Sequence, residues 1–360
     1  MAYTSIDDPT AYFQTKTYTG SANAQSITFD GNSNLQPDWI WIKERGATGG
    51  HVVTDTVRGI SASSAPFLQP SANGVQIDGN GTEANRTLTS SNTNGFTLGQ
   101  DAYYTNFNNN SDTYVSWNWK AGGSASSNSN GSITSSVSAN TTAGFSIVSF
   151  TGNGSAGATV GHGLSAIPKF ILVKVHTSST AYDWRVFHAS LGATKNLILN
   201  DTSTVATATN KWNDTEPTSS VFSLGNTAGT NESGSGIIAY CFAEKKGYSK
   251  FGSYEGTNSA ANGAFVFTGM KPKFIMLKNV DAAKDWNIYD SARDIDNPLE
   301  KKLEPNTTDA ESTDLALDFL ANGFKFRQNG SNFNDANTYI YMAFAENPFV
   351  TSTGIPTTAR

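Results

Sequence analysis

The chain has 360 residues, a net charge of −6 and a charged fraction of 15%, well under the quarter or so that is usual in a globular chain. That balance excludes a broad nucleic-acid surface, which needs clustered Lys and Arg to neutralise phosphates. No apolar run approaches the length of a membrane span, and the single cysteine, Cys241, excludes an internal disulfide or a cysteine zinc cage.

With 21 Phe, 13 Tyr and 7 Trp, the chain has the aromatic content that disordered sequences lack. Its polar surface must therefore be made of Ser, Thr, Asn and Gly, the residues of turns and strands. Met1-Ala-Tyr-Thr-Ser5 opens without a secretory apolar segment, which predicts folding in a reducing cytoplasm.

In chain order, the first landmark is an aromatic-x-Gly, Tyr18-Thr-Gly20. A proline then leads into an aromatic-aliphatic run ending in lysine, Leu35-Gln-Pro-Asp-Trp-Ile-Trp-Ile-Lys43. After it come Gly50-His-Val-Val-Thr-Asp55, Gly95-Phe-Thr-Leu98 and a closing run, Tyr114-Val-Ser-Trp-Asn-Trp119. The same landmarks return in order as Phe150-Thr-Gly152, Ile167-Pro-Lys-Phe-Ile-Leu-Val-Lys174, Asp183-Trp-Arg-Val-Phe-His188, Val221-Phe-Ser-Leu224 and Ile237-Ile-Ala-Tyr-Cys-Phe242. They return again as Tyr254-Glu-Gly256, Met270-Lys-Pro-Lys-Phe-Ile-Met-Leu-Lys278, Asp285-Trp-Asn-Ile-Tyr-Asp290, Gly323-Phe-Lys-Phe326 and Tyr339-Ile-Tyr-Met-Ala-Phe344.

Three ordered landmark sets define an internal repeat. Short β-branched and aromatic runs bounded by Pro and polar turns read as strands, and Phe96-Thr-Leu98 alternates as a half-buried strand should. The expected fold is all-β, with three tandem antiparallel β-sandwich or jelly-roll-like repeats of about 100 residues. Residues 1–121 form unit one with an N-terminal arm, 122–130 a flexible Gly/Ser linker, 131–247 unit two, 248–348 unit three and 349–360 a tail. Unit one is expected to hinge on the linker, while units two and three form a stiff pair. A short helix is expected within Ser312–Leu320.

Catalytic signals are sparse. His51, His162, His176 and His188 form no metal-ligand spacing, and Gly161-His-Gly163 reads as a turn. The carboxylates Asp183, Asp285, Asp290 and Asp294 form no evident pair for glycoside hydrolysis. Asp55-Thr-Val-Arg58 and Asp290-Ser-Ala-Arg293 repeat an Asp-x-x-Arg spacing, read as an ion-paired turn worth about 0–1 kcal/mol if exposed. Asp78-Gly-Asn-Gly81 and Asn108-Asn-Asn-Ser-Asp112 read as ordinary loops. Trp184 and Trp286 are the aromatic binding candidates, as sugar-stacking platforms, against a core role that their equivalent repeat positions favour. No cofactor, metal or catalytic residue is expected, and the chain reads as no enzyme.

The opening Tyr3-Thr-Ser-Ile-Asp-Asp-Pro-Thr-Ala-Tyr-Phe-Gln14, the Ala239-Tyr-Cys-Phe-Ala-Glu244 strand and the ending Tyr341-Met-Ala-Phe-Ala-Glu-Asn-Pro-Phe349 through Arg360 resemble a repeat family of uncharacterised domains. It is found in virion structural and putative tail-fibre proteins of marine and cyanobacterial tailed phages. The resemblance spans the chain and supplies no catalytic residue. It implies a virion location after assembly in the host cytoplasm. The implied function is a tail-fibre or adhesion component presenting loops for host recognition; the alternatives are a capsid decoration protein and, third, a polysaccharide-degrading tailspike. Expected partners are other virion proteins, copies of itself with a trimer favoured, and a host-surface glycan, with no nucleic acid and no membrane insertion. The Met1–Phe13 arm and the Phe349–Arg360 tail are the expected docking segments.

Overall fold

The computed structural model describes residues 2–61, 65–78, 87–100, 107–313 and 317–357. Unit one contributes β1 (Phe13–Thr19), β2 (Gln25–Thr28), β3 (Trp39–Glu44), β4 (Val52–Asp55), β5 (Leu88–Asn92), β6 (Gly95–Leu98) and β7 (Thr113–Trp119). Then follow β8 (Ser126–Asn128), β9 (Ser135–Asn140), β10 (Phe145–Thr151), β11 (Ala158–Gly161), β12 (Pro168–Thr177), β13 (Arg185–His188), β14 (Lys195–Ile198), β15 (Ala206–Thr207), β16 (Val221–Leu224) and β17 (Gly236–Ala243). Unit three holds β18 (Ser249–Glu255), β19 (Phe265–Phe267), β20 (Met270–Asn279), β21 (Asn287–Asp290), β22 (Leu317–Leu320), β23 (Gly323–Phe326) and β24 (Thr338–Pro348). Among the described residues, helix is confined to two single turns, α1 (Thr209–Trp212) and α2 (Ala228–Asn231), and one 3₁₀ turn at Pro9–Ala11. The protein is thus almost wholly β, in several open antiparallel sheets.

One strand order recurs three times: β1-β7-β3-β4, β10-β17-β12-β13 within an eight-stranded sheet, and β18-β24-β20-β21. Smaller sheets, β2-β6-β5, β11-β16 and β19-β23-β22, accompany them. The Pro-aromatic-Lys runs are the third strands of these orders, and the closing runs are their neighbours. Register shifts at Pro168/Phe170 and Pro272/Phe274 fit a residue that cannot donate to the ladder. The glycine of the Gly-Phe motif also has a steric cause. A Cβ on Gly95 would stand 1.9 Å from the Ile27 carbonyl oxygen, and one on Gly323 2.1 Å from that of Val266.

Each third strand is buried on both faces, and the faces go to different cores. Ile40 and Ile42 pack with Ile27, Phe96 and Leu98. Ile171 and Val173 pack with Val160 and Phe222, and Ile275 and Leu277 with Val266 and Phe324. The alternate residues, Trp39 and Trp41, Phe170 and Leu172, Phe274 and Met276, all enter one shared core. At its centre Trp119, Phe242 and Phe344, equivalent residues of the closing strands, contact one another. Their ring centroids are 6.3, 5.6 and 5.8 Å apart, within range for favourable aromatic pairs.

Three expectations are corrected here. Unit one does not hinge, because its tryptophans lie in the shared core and Trp39 stacks on Tyr240 at 4.5 Å. The Gly/Ser stretch between units is partly strand, with Ser126–Asn128 paired to β9; backbone pairing there removes the slack that composition implied. The expected helix over Ser312–Leu320 is replaced at Leu317–Leu320 by β22, since Leu317 and Phe319 face a core while the strand pairs with β23. Residues 314–316 lie outside the described residues.

Candidate functional site

The conspicuous polar side chains gather along three seams where the units meet. Asp55, His188 and Asp290 end the fourth strands at equivalent positions. Tyr240 Oη donates to Asp55 (2.8 Å), and Trp117 Nε1 donates to Asp290 (3.0 Å). His188 Nε2 lies 3.2 Å from the Tyr341 carbonyl. Every one of these bonds joins two units: two to one, one to three, and two to three.

A second ring of contacts lies beside it. Trp184 Nε1 donates to the Gln69 carbonyl and Trp286 Nε1 to that of Ile198, both at 2.9 Å, and His51 Nε2 stands 3.1 Å from that of Glu304. Lys43, Lys174 and Lys278, the last residues of the three Pro-aromatic-Lys runs, are fully buried. They reach the carbonyls of Thr308, Asn73 and Thr202 in the neighbouring unit at 3.4, 2.7 and 3.0 Å. Burial lowers the pKa of each ammonium to about 8. Backbone bonds complete the seams: Glu311 N to Arg45 O, Gln76 N to His176 O and Val205 N to Val280 O. Unit one touches three, two touches one and three touches two, so the contacts close a ring.

Trp184 and Trp286 are therefore enclosed, at 0% and 1% exposure, and the stacking-platform expectation is corrected. Their indole faces are covered by the shared core, and their N–H groups hold seams. The Asp-x-x-Arg turns are present, but buried rather than exposed. Asp55 and Arg58 meet at 2.5 Å, Asp290 and Arg293 at 2.6 Å, with the four side chains at 0–3% exposure. His162 fastens a turn, its Nδ1 accepting from Leu164 N and its Nε2 meeting the Thr218 carbonyl. Cys241 is buried, which raises its thiol pKa. Asp183 and Asp285 both accept from amide side chains, of Asn200 and Asn306. Asp294 pairs with Lys301 at 3.0 Å. Among the described residues no group of three metal-ligating side chains occurs, and no helix is long and apolar enough to cross a membrane. Asn108 ties loop to loop through the Asn23 and Gly99 carbonyls. Of Asp78-Gly-Asn-Gly81, the last three residues lie outside the described residues.

One seam is unlike the others. At equivalent positions Arg45 forms a bidentate pair with Glu311, at 3.0 and 2.7 Å, and Val280 lies opposite Val205 in an apolar environment. The third pair is His176 and Gln76, but Gln76 turns to Arg58 and Asp78. His176 is left 8% exposed with neither ring nitrogen bonded. Burial, then Arg58 and Lys174, lower its pKa to about 4, against the opposing pull of Asp55 and Asp78. Sequence reasoning missed this position because a lone histidine carries no signal; comparison with Arg45 and Val280 would have found it. Replacing His176 with Val, the residue of unit three, is expected to raise stability by about 1–2 kcal/mol, read as a higher unfolding midpoint. A lower midpoint would mean that the imidazole is satisfied where it stands.

The termini meet at another edge. Asp7 accepts from Ser352 N (2.6 Å), Tyr3 Oη donates to the Gly269 carbonyl (2.7 Å), and the Tyr3 and Phe349 rings are 6.4 Å apart.

An all-β chain closed by three related seams is what these contacts define. It belongs to the family described as Domain of unknown function (DUF7483), whose model matches residues 8–348 and so runs through all three units. No curated protein and no solved structure matches the chain.

Proposed function

We propose that this chain is a structural protein of a phage virion, a tail-fibre or adhesion component built of three tandem antiparallel β-sandwich or jelly-roll-like repeats. One observation carries the non-catalytic half of this proposal: the histidines and the lysines of the repeated runs are buried, and most of them are bonded to backbone carbonyls. All four histidines are buried, and His51, His162 and His188 are bonded to backbone carbonyls. Lys43, Lys174 and Lys278 are likewise committed to carbonyls across the seams. Functional variety is left to the loops, whose Asn, Ser, Thr, Gly and Tyr content suits adaptable contacts.

The joined arm and tail supply a docking edge for other virion proteins, and further copies of the chain complete a homotrimer. Assembly takes place in the host cytoplasm, and a host-surface glycan is the external partner. Immunogold labelling of particles and counting of copies test the location. Label at the tail tip in a few copies per particle is expected; tens to hundreds of copies on the head would replace adhesion with capsid decoration. Light scattering of the purified chain tests the trimer. A monomer would mean that the threefold order within one chain is the whole assembly.

A further inference from the structure

A recess of about 1050 Å³ opens in unit three between the 294–299 turn, β22 and the ends of β20 and β24. Its size is that of a ligand site. Most of its charged groups are compensated: Lys271 pairs with Glu346 at 3.2 Å and Arg327 with Asp318, while Asp294 pairs at 3.0 Å with Lys301 outside the lining. Asp296 adds a carboxylate at the mouth. Such a rim offers many donors and acceptors with little net field, which favours an uncharged, hydroxyl-rich ligand over an ion.

The recess continues onto the outer face of the β19-β23-β22 sheet. In register, Phe265 lies beside Lys325 and Asp318, and Phe267 beside Gly323 and Leu320. Asp318 and Leu320 also line the recess. Gly323 has no side chain, so a trough separates Phe267 from Leu320. Phe265 and Phe267 are 48% and 57% exposed, while Val266 between them is buried.

The repeat itself supplies the control. Ile27, Val160 and Val266 are equivalent, pairing with Phe96, Phe222 and Phe324. The residues flanking them are Ser26 and Thr28 in unit one, and Thr159 and Gly161 in unit two. The fold is therefore built twice without aromatics here, and packing does not account for the two phenylalanines of unit three. Two rings on a flat face beside a hydrogen-bonding recess match the two chemistries of a sugar, its C–H face and its hydroxyls. Strand addition by a peptide is disfavoured, because β19 offers an edge of three residues.

We infer that unit three binds an oligosaccharide, laid across Phe265 and Phe267 with hydroxyls reaching the paired charges of the recess. This rests on the recognition half of the function proposed above and names its site. The test uses the full chain on a printed array of bacterial O-chain and capsular oligosaccharides. Beside it runs the double variant Phe265→Ser, Phe267→Thr, which imports the residues of unit one. The wild type is expected to retain at least one oligosaccharide, and the double variant to bind it at least tenfold more weakly with an unchanged unfolding midpoint. Ser26→Ala, Thr28→Ala is expected to bind as wild type does. No retained oligosaccharide, or equal binding by the double variant, would overturn the inference, as would saturable capture of a polypeptide at these rings instead. Adsorption of labelled chain to intact marine bacterial cells is followed in parallel. Adsorption that survives the double substitution removes this site and leaves recognition standing; sugar binding without adsorption does the reverse.

Discussion

Asp55→Ala is expected to lower the free energy of unfolding by about 3–5 kcal/mol, the range for breaking a buried ion pair by removing one partner. Asp55 accepts from Arg58 Nε (2.5 Å), Tyr240 Oη (2.8 Å) and the backbone N–H groups of Val57 and Arg58 (3.1 and 2.8 Å). Alanine strands all four donors, and Arg58 is left with the Gln76 amide, the Val53 carbonyl and a long contact to Tyr240. Asp290→Ala should cost less, because Arg293 keeps a second carboxylate, Glu311, at 3.0 Å. Unit two supplies the rescue. It holds His188 and Leu191 where the others hold Asp and Arg, so the seam can be built without the ion pair. Asp55→Ala combined with Arg58→Leu should therefore lose less stability than Asp55→Ala alone. Denaturant unfolding followed by near- and far-ultraviolet circular dichroism measures the set. Coincident transitions are expected for the wild type, since Asp55 ties unit one to unit two. Early, separate loss of unit one would contradict a closed ring.

The strands and their repetition were legible because they are local. Proline, aromatic run and lysine recur at near-constant spacing, and β12 and β20 begin around Pro168 and Pro272. The seams were not legible, because they join residues far apart in the chain: Trp117 to Asp290, Lys43 to Thr308, Trp286 to Ile198. Hydrophobic pattern reports that a face is buried, not against what. A clue was nevertheless present. Trp39-Ile-Trp-Ile42 and Phe170-Ile-Leu-Val173 are continuous apolar runs rather than alternating ones, the mark of strands covered on both faces. Two isolated sandwiches on a hinge would leave one face of each in water. The aromatic candidates failed for a related reason: a tryptophan's polar edge looks the same in sequence whether it meets a ligand or, as for Trp184, the Gln69 carbonyl. The recess was not legible, and the Phe265 and Phe267 rings beside it belong to no repeated motif; they stand out only against Ser26 and Thr28 at the equivalent positions of unit one.

Acid should unfold this protein in a pH range where most carboxylates are still ionised. His176 and His188 have pKa values near 4, lowered first by burial, and burial likewise lowers His51 and His162. The unfolded chain takes up these protons near the ordinary value of about 6.5, before the folded chain does. Stability is therefore full above pH 6.5 and falls as the pH drops toward 4, by about 3 kcal/mol for each of His176 and His188. Glu304 and Asp38, raised by burial, act in the opposite sense at the acid end of this window. The three seam lysines extend the trend at the other end. With folded pKa values near 8 against an ordinary value of about 10.4, they make stability rise again between those limits, until the buried tyrosines oppose it. Thermal unfolding at pH 4.5, 7 and 9 should give midpoints in ascending order. His176→Val should flatten the acid limb by about half of the two-histidine loss, whereas an unchanged acid limb would mean that His176 titrates normally. The seams explain why such groups are tolerated. His51 and His188, like Lys43, Lys174 and Lys278, meet carbonyls of a neighbouring unit; His162 meets one in its own unit, and His176 is left with neither ring nitrogen bonded.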